Sequence, residues 1–252
     1  MDDRALNLVM EAGKTMLANG GEVFRAQDTM DIMARSLGVE DFHVYVLTNG
    51  IFASAQGGTV NAVRHIPSVN IHLGRVEAVN ALSRDVAAGR LDLDGAEAAL
   101  AAAIALPPTR FSARLLSAAV GSGCFAYLFG GGTPEVCMAM LAGLSETTLT
   151  HLVRLSGSSR IFSDILAAWL CTTLVLLGRM AQPGLDANTA IIGALMVLTP
   201  GVALTMGIRD FINADYLSGT IRLFDAVLVA GCLACGVALG YLLANRLWGV
   251  MP

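Results

Sequence analysis

The stretch AVLVAGCLACGVALGYLLA, residues 226–244, decides the fold class of this chain, because its 19 residues carry no charge. An α-helix rises 1.5 Å per residue, so about 20 apolar residues cross a hydrocarbon core of about 30 Å. The stretch therefore predicts a membrane-spanning helix, and a lipid bilayer is the expected solvent for this part of the chain.

Four earlier segments have a similar hydropathy. Residues 115–134 and 187–208 are uncharged, whereas 135–152 is interrupted by Glu146 and 161–178 contains Asp164 near its start. Charged types make up only 14% of the chain, against about 25% in soluble proteins. This pattern predicts a polytopic α-helical membrane protein with about five transmembrane helices.

The first part of the chain has a different composition, because most of the charged residues lie before residue 111. Helical periodicity there alternates with β-prone segments around Asn49-Gly50, a dipeptide typical of tight hairpin turns. The expected elements are helices at 4–18, 22–37 and 75–88, strands at 43–47, 51–55 and 59–65, and a short alanine-rich helix capped by Asp92 or Asp94. Residues 1–110 are therefore predicted to form a small soluble α+β domain, and residues 111–252 the transmembrane domain.

The placement of arginines predicts the orientation. The chain begins Met-Asp-Asp-Arg, without the basic start and apolar block of a signal peptide, so the first domain is expected in the cytoplasm. The C-terminus is then outside, and the positive-inside rule is satisfied. The arginines expected inside are Arg110, Arg114, Arg154, Arg160, Arg209 and Arg222, and those expected outside are Arg179 and Arg246. The net charge of -4 does not indicate a nucleic-acid partner.

The segment LTPGVALT, residues 198–205, lies in the predicted fourth span. Pro200 removes a backbone donor and Gly201 loosens the chain further. Irregular backbone at membrane depth is tolerated only against protein or a wet cavity, and broken helices form substrate sites in transporters. Thr199 and Thr205 add hydroxyl groups. The alternative is a simple proline kink whose hydroxyls bond back to their own helix.

Four charged residues are candidates for binding or coupling. Arg209 and Asp210 follow the proline segment, where an arginine could hold a carboxylate in a bidentate pair, although they could equally belong to a solvated loop. Glu146 and Asp164 lie within spans, where carboxylates are costly and usually paired or functional. Either could carry a coupling proton or ion, unless the span of Asp164 begins later.

Other patterns indicate structure only. No Ser-His-Asp order, phosphate loop or metal-ligand spacing is present, so no catalytic residue, cofactor or metal is predicted. Gly236 and Gly240 form a G-x-x-x-G face for close helix packing, in this chain or toward a partner. The acids and bases between Glu22 and Asp31 are predicted to form a solvated helix face with local ion pairs.

Three segments together are similar to a known family. They are AGK at 12–14 running through LANGGEV at 17–23 and DTM at 28–30 to ARSLGV at 34–39, TNGIF at 48–52, and LTPG at 198–201 with Arg209-Asp210, Ser218-Gly219 and Arg222 after it. In this order they resemble the N-terminal half of the threonine/serine exporter family. One position departs from the pattern, because Ala214 stands where the family tends to have glycine before Asp215.

The resemblance implies a bacterial inner-membrane exporter of small carboxylates. Longer family members carry a second membrane half in the same chain, so this chain resembles the split form, in which a separate small membrane protein supplies it. The two-protein version is associated with succinate export and the fused version with threonine and serine. An assembly of more than one subunit in the bilayer is therefore expected.

The leading hypothesis is a gradient-driven secondary exporter. It places Thr199, Pro200, Gly201, Thr205, Arg209 and Asp210 at the substrate and Glu146 or Asp164 in proton or ion coupling. Two other hypotheses stay open: a membrane-anchored enzyme with a hydrolase-like first domain, and a metabolite sensor or scaffold. Five spans are more than an anchor needs, which favours the exporter.

Overall fold

A computed structural model of the chain describes residues 3–67 and 69–249. Helices make up most of these residues, and a three-stranded antiparallel sheet lies near the N-terminus. The elements, in order, are α1 Asp3–Ala18, α2 Val23–Ser36, β1 His43–Leu47, β2 Gly50–Ala55, β3 Val60–His65, α3 Leu73–Ala87, α4 Leu93–Ile104, α5 Phe111–Leu128, α6 Thr133–Leu155, α7 Arg160–Ala181, α8 Ala187–Leu195, α9 Gly201–Ile212 and α10 Tyr216–Trp248.

The chain divides into two compact units. The first unit contains Met1–Pro108 and Thr205–Arg222, and the second contains Thr109–Leu204 and Leu223–Pro252. The C-terminal part of α9 and the first two turns of α10 therefore belong to the same unit as the sheet. Hydropathy alone assigns residues 205–222 to the transmembrane part of the chain. Their grouping with the sheet is therefore a result of tertiary packing.

The predicted elements of the α+β region agree with the structure to within about two residues. Methionines at helical spacing on α1 and α2, such as Met10 and Met30, are fully buried and pack with Ile51 of β2 in one core. The hairpin loop is Thr48-Asn49, because Leu47 pairs with Gly50. It begins one residue earlier than Asn49-Gly50, since Gly50 also pairs with His65 and so belongs to the strand. The predicted cap of α4 is Asp92, whose side chain accepts a hydrogen bond from the Gly95 amide.

Among the described residues, four helices are long and apolar enough to cross a bilayer, which is consistent with the predicted membrane class. They are α5, α6, α7 and α10, with 18, 23, 22 and 33 residues. Helix α6 continues without a break through Glu146. The predicted fourth span, 187–208, is not one helix, because α8 has 9 residues and α9 has 12. At 1.5 Å per residue neither piece alone crosses about 30 Å, so the count of five spans stays a prediction.

The G-x-x-x-G face of α10 packs on α7 of the same chain. A Cβ atom at Gly236 would lie 2.4 Å from the carbonyl oxygen of Ile165, and one at Gly240 would lie 2.7 Å from Cβ of Thr172. Only glycine permits this approach of two helix backbones. The sequence predicted the packing face, and the structure identifies α7 as its neighbour.

Ala214, the residue that departs from the family pattern, ends α9 in a left-handed conformation with φ of 61°. The amide of Asp215 donates to the carbonyl of Asp210 and that of Ala214 to Phe211, which is the Schellman arrangement. Glycine is preferred at this position because a Cβ atom is disfavoured there.

We expect Ala214→Gly to stabilise the protein by about 0.5–1 kcal/mol, measured by thermal unfolding in detergent. Ala105, which follows α4 with φ of -74°, provides the matched control. There the same change should destabilise, because glycine only adds freedom to the unfolded chain. Equal effects of the two substitutions would contradict the role assigned to the Ala214 backbone.

Candidate functional site

The break between α8 and α9 is held by local hydrogen bonds. The amide and the hydroxyl of Thr199 both donate to the carbonyl of Leu195, at 3.0 and 3.1 Å. Pro200 has no amide hydrogen, and its carbonyl accepts the first bond of α9 from Leu204 at 3.0 Å. Pro200 therefore separates the end of one helix from the start of another. The back-bonded Thr199 hydroxyl agrees with the kink alternative, whereas the restart of the helix at Gly201 is more than a kink.

Thr199 and Pro200 line an open groove in the second unit, with a volume of about 470 Å³. Its remaining walls are apolar, and three of the five residues that α10 contributes are alanines. The residues of these walls are Ile192, Leu195 and Met196 from α8 and its end, and Ala230, Leu233, Ala234, Val237 and Ala238 from α10. The positive end of the α9 dipole lies at Gly201, where partial charge from backbone amides favours an anion. The structure thus places three predicted site residues, Thr199, Pro200 and Gly201, at one break.

The other predicted substrate-binding residues lie on the part of α9 that belongs to the first unit. Thr205 is in the second turn of α9, and Arg209 and Asp210 are in its last turn. Nη1 of Arg209 donates to Oε1 of Glu22 at 2.7 Å, and Glu22 is the residue just before α2. The Arg209 side chain is 57% exposed and that of Glu22 is 18% exposed. Arg209 is therefore neither free nor buried, since it is bonded to one carboxylate and more than half of its side-chain surface is exposed to solvent.

Asp210 is paired with Arg222 across the α9–α10 turn. Oδ2 of Asp210 lies 3.0 Å from Nε of Arg222, an ion pair without the geometry of a hydrogen bond, and the side chains are 5% and 16% exposed. Burial raises the pKa of the Asp210 carboxyl, although the charge of Arg222 opposes this shift. Gly219 permits the close crossing of the two helices, because a Cβ there would lie 3.0 Å from the carbonyl oxygen of Gly207. Asp210 and Arg222 are thus part of a packed corner and not of a solvated loop.

The two carboxylates that lie within predicted spans, Asp164 and Glu146, differ in whether charged side chains lie near them. Asp164 is buried but lies 3.6 Å from Nε of Arg160 and 4.0 Å from Nη2 of Arg154, and Arg160 also donates to Asp225 at 3.3 Å. Asp164 sits in the second turn of α7. Arg160 begins the same helix, and Arg154 lies in the last turn of α6.

Glu146 lies on the buried face of α6 and is completely buried. Neither of its oxygens has a hydrogen-bond partner among the described residues. His151, five positions further along α6, stacks on Phe111 with ring centroids 4.3 Å apart. A buried carboxyl without a partner carries a large energetic cost, which marks Glu146 as a candidate functional group.

Glu22 is the residue of this region that sequence reasoning missed. It was assigned to a solvated helix face, but its partner lies 187 positions away in the chain. Its place in the LANGGEV segment was the only available signal. Among the described residues no group of His, Cys, Asp and Glu side chains could hold a metal ion.

Known proteins with similar sequences indicate the family of this chain. A family model for threonine/serine exporters matches residues 7–244. A threonine/serine exporter of Corynebacterium glutamicum is 23% identical over 257 residues, which cover 98% of this chain and 53% of that protein. The chain therefore spans about half the length of this relative. No solved structure matches the chain.

Proposed function

Because the chain belongs to the threonine/serine exporter family, we propose that it forms one membrane half of a secondary exporter of small carboxylates. The substrates of this proposal are threonine and serine, with a succinate-like dicarboxylate as the second possibility. The proposed location is the bacterial inner membrane, with the α+β region on the cytoplasmic side, as the arginine distribution favours. The family is one of transporters, which makes an anchored enzyme the weaker alternative.

The observation that carries the proposal is the break between α8 and α9 on a groove of about 470 Å³. In the proposed mechanism Thr199, Pro200 and Gly201 form the part of the path nearest the break, and Thr205 follows one turn later. The N-terminal end of α9 attracts the carboxylate of the substrate. The three alanines in the α10 wall leave room for it.

Arg209 is proposed as the group that first binds the substrate carboxylate, on the part of its guanidinium that faces solvent. Asp210 supports it indirectly, because its pair with Arg222 holds the end of α9 in place. The bidentate geometry of arginine suits any of the candidate carboxylates.

Glu146 is the better of the two candidates for proton or ion coupling. It is buried without a hydrogen-bond partner in the described residues, so a bound proton or cation would remove an unfavourable charge. Asp164 already has two arginines near it and is proposed to hold the ends of α6 and α7 together.

A second membrane half is also part of the proposal, because the Corynebacterium glutamicum relative is about twice as long as the matched region. It would be supplied by a separate subunit or by another segment. Two halves that insert in opposite senses would form an inverted-repeat transporter.

Counterflow of labelled serine, threonine and succinate in proteoliposomes tests the function, with and without a co-expressed second half. We expect Arg209→Ala to reduce transport at least about tenfold, as expected for the loss of a charge-assisted bond. Arg25→Ala, which removes an exposed arginine of α2, should leave it unchanged. Absence of transport of all three compounds by the wild type would refute the exporter proposal.

A further inference from the structure

The pair between Glu22 and Arg209 has unused binding capacity. A guanidinium has five N–H donors, and within the described residues Arg209 uses one of them, on Glu22. Oε2 of Glu22 is buried without a hydrogen-bond partner among the described residues. A ligand would therefore approach this carboxylate at Oε1. An oxygen of a carboxylate accepts two hydrogen bonds, which leaves Oε1 room for a second donor.

The charges around this pair are unbalanced. The carboxylate of Asp210 has four charged neighbours that act on it. They are the acids Glu22 and Asp215 and the bases Arg209 and Arg222. The formal sum is three negative against two positive charges, or -1. A ligand that brings both a carboxylate and an ammonium group fits such a site better than a dianion does.

We propose that Glu22 and Arg209 form a site for zwitterionic α-amino acids, with Glu22 as the residue that excludes dicarboxylates. Arg209 holds the α-carboxylate with its solvent-facing N–H groups, and Oε1 of Glu22 accepts a hydrogen bond from the α-ammonium. The inference rests on the proposed exporter function and names its substrate class. A dicarboxylate bound to Arg209 would place its second carboxylate beside that of Glu22, where like charges repel.

The variant that tests this role is Glu22→Gln, which keeps the shape of the side chain and removes its charge. The control is Asp28→Asn, which removes an exposed carboxylate from α2, the helix that Glu22 precedes. Unlabelled serine, threonine and succinate compete with labelled substrate in proteoliposomes of the full chain with its second half. Thermal shifts in detergent with the same three compounds report binding and folding independently of transport.

We expect Glu22→Gln to weaken competition by serine and threonine about tenfold, the loss of one charge-assisted bond, and to strengthen competition by succinate. Asp28→Asn should leave the ratio of amino acid to succinate unchanged. Glu22→Asp keeps the charge, so it should retain the preference for amino acids even where overall affinity falls.

Three results would overturn the inference. They are a wild type that prefers succinate, an equal shift for all three compounds in Glu22→Gln, and the same loss of preference in Glu22→Gln and Glu22→Asp. In each of these cases transport persists and the exporter proposal stands. A wild type that neither transports nor binds any of the compounds would remove both proposals together.

Discussion

Replacement of Glu146 by leucine is expected to stabilise the protein and to abolish the coupling of transport to an ion gradient. Glu146 is completely buried, and neither oxygen has a hydrogen-bond partner among the described residues. An unsatisfied buried polar group costs about 1–3 kcal/mol, and leucine of similar volume removes this cost. For a chain of this size each kcal/mol raises the melting temperature by about 2–4 °C.

The proposed role of Glu146 in coupling is tested by comparing substrate exchange with gradient-driven accumulation. If Glu146 carries the proton or ion, Glu146→Leu should still exchange labelled for unlabelled substrate but should no longer accumulate substrate against an imposed pH or sodium gradient. Ser145→Ala, at the neighbouring position on α6, is the control and should retain coupling. Gradient-driven accumulation by Glu146→Leu at the wild-type level would show that Glu146 is structural. A fall in melting temperature would show that the buried carboxyl has a partner.

Replacement of Arg222 by alanine is expected to destabilise the protein by about 3–5 kcal/mol, because it leaves Asp210 buried without its partner. The Asp210 side chain is 5% exposed, so water cannot replace the guanidinium. Arg209→Ala is the matched control. Its side chain is 57% exposed and that of Glu22 is 18% exposed, so loss of this pair should cost less than loss of the partner of Asp210.

The destabilisation by Arg222→Ala should depend on pH with a defined sign. Burial already raises the pKa of Asp210, and removal of Arg222 takes away the largest charge effect that opposes this shift. A raised pKa in the folded state favours the folded state at low pH and loses this contribution as pH rises through the shifted value. Melting temperatures should therefore differ least from the wild type near the ordinary aspartate pKa and most at neutral pH.

A double variant tests whether the unpaired buried charge of Asp210 causes the loss of stability. Replacing both partners, as in Asp210→Leu with Arg222→Met, should recover most of the stability, since no buried charge remains. A double variant as unstable as Arg222→Ala would mean that Arg222 acts through packing, for example through its contact with the sulfur of Met206 at 3.0 Å. An Arg222→Ala protein as stable as Arg209→Ala would contradict the buried pair.

Several features of the fold could be predicted from residues that are close in the chain. The uncharged stretch at 226–244 predicted α10, the Asn49-Gly50 region predicted the hairpin to within one residue, and Pro200 predicted the interruption of 187–208. Each of these depends on local properties, namely hydropathy over one helix length, turn preference and a missing backbone donor. The number of spans does not follow from hydropathy alone, because the interrupted segment at 187–208 is two short helices.

The sequence by itself determined that this is a polytopic helical membrane protein with an α+β region and a broken helix, because these follow from local composition. Only the tertiary structure decided which charges have partners. It joined Glu22 to Arg209 across 187 positions, buried Asp210 against Arg222, and gave arginines to Asp164 but no hydrogen-bond partner among the described residues to Glu146. The physical reason is that pairing depends on which helices pack together, and the energy of a charge depends on burial and on neighbours that lie far away in the chain.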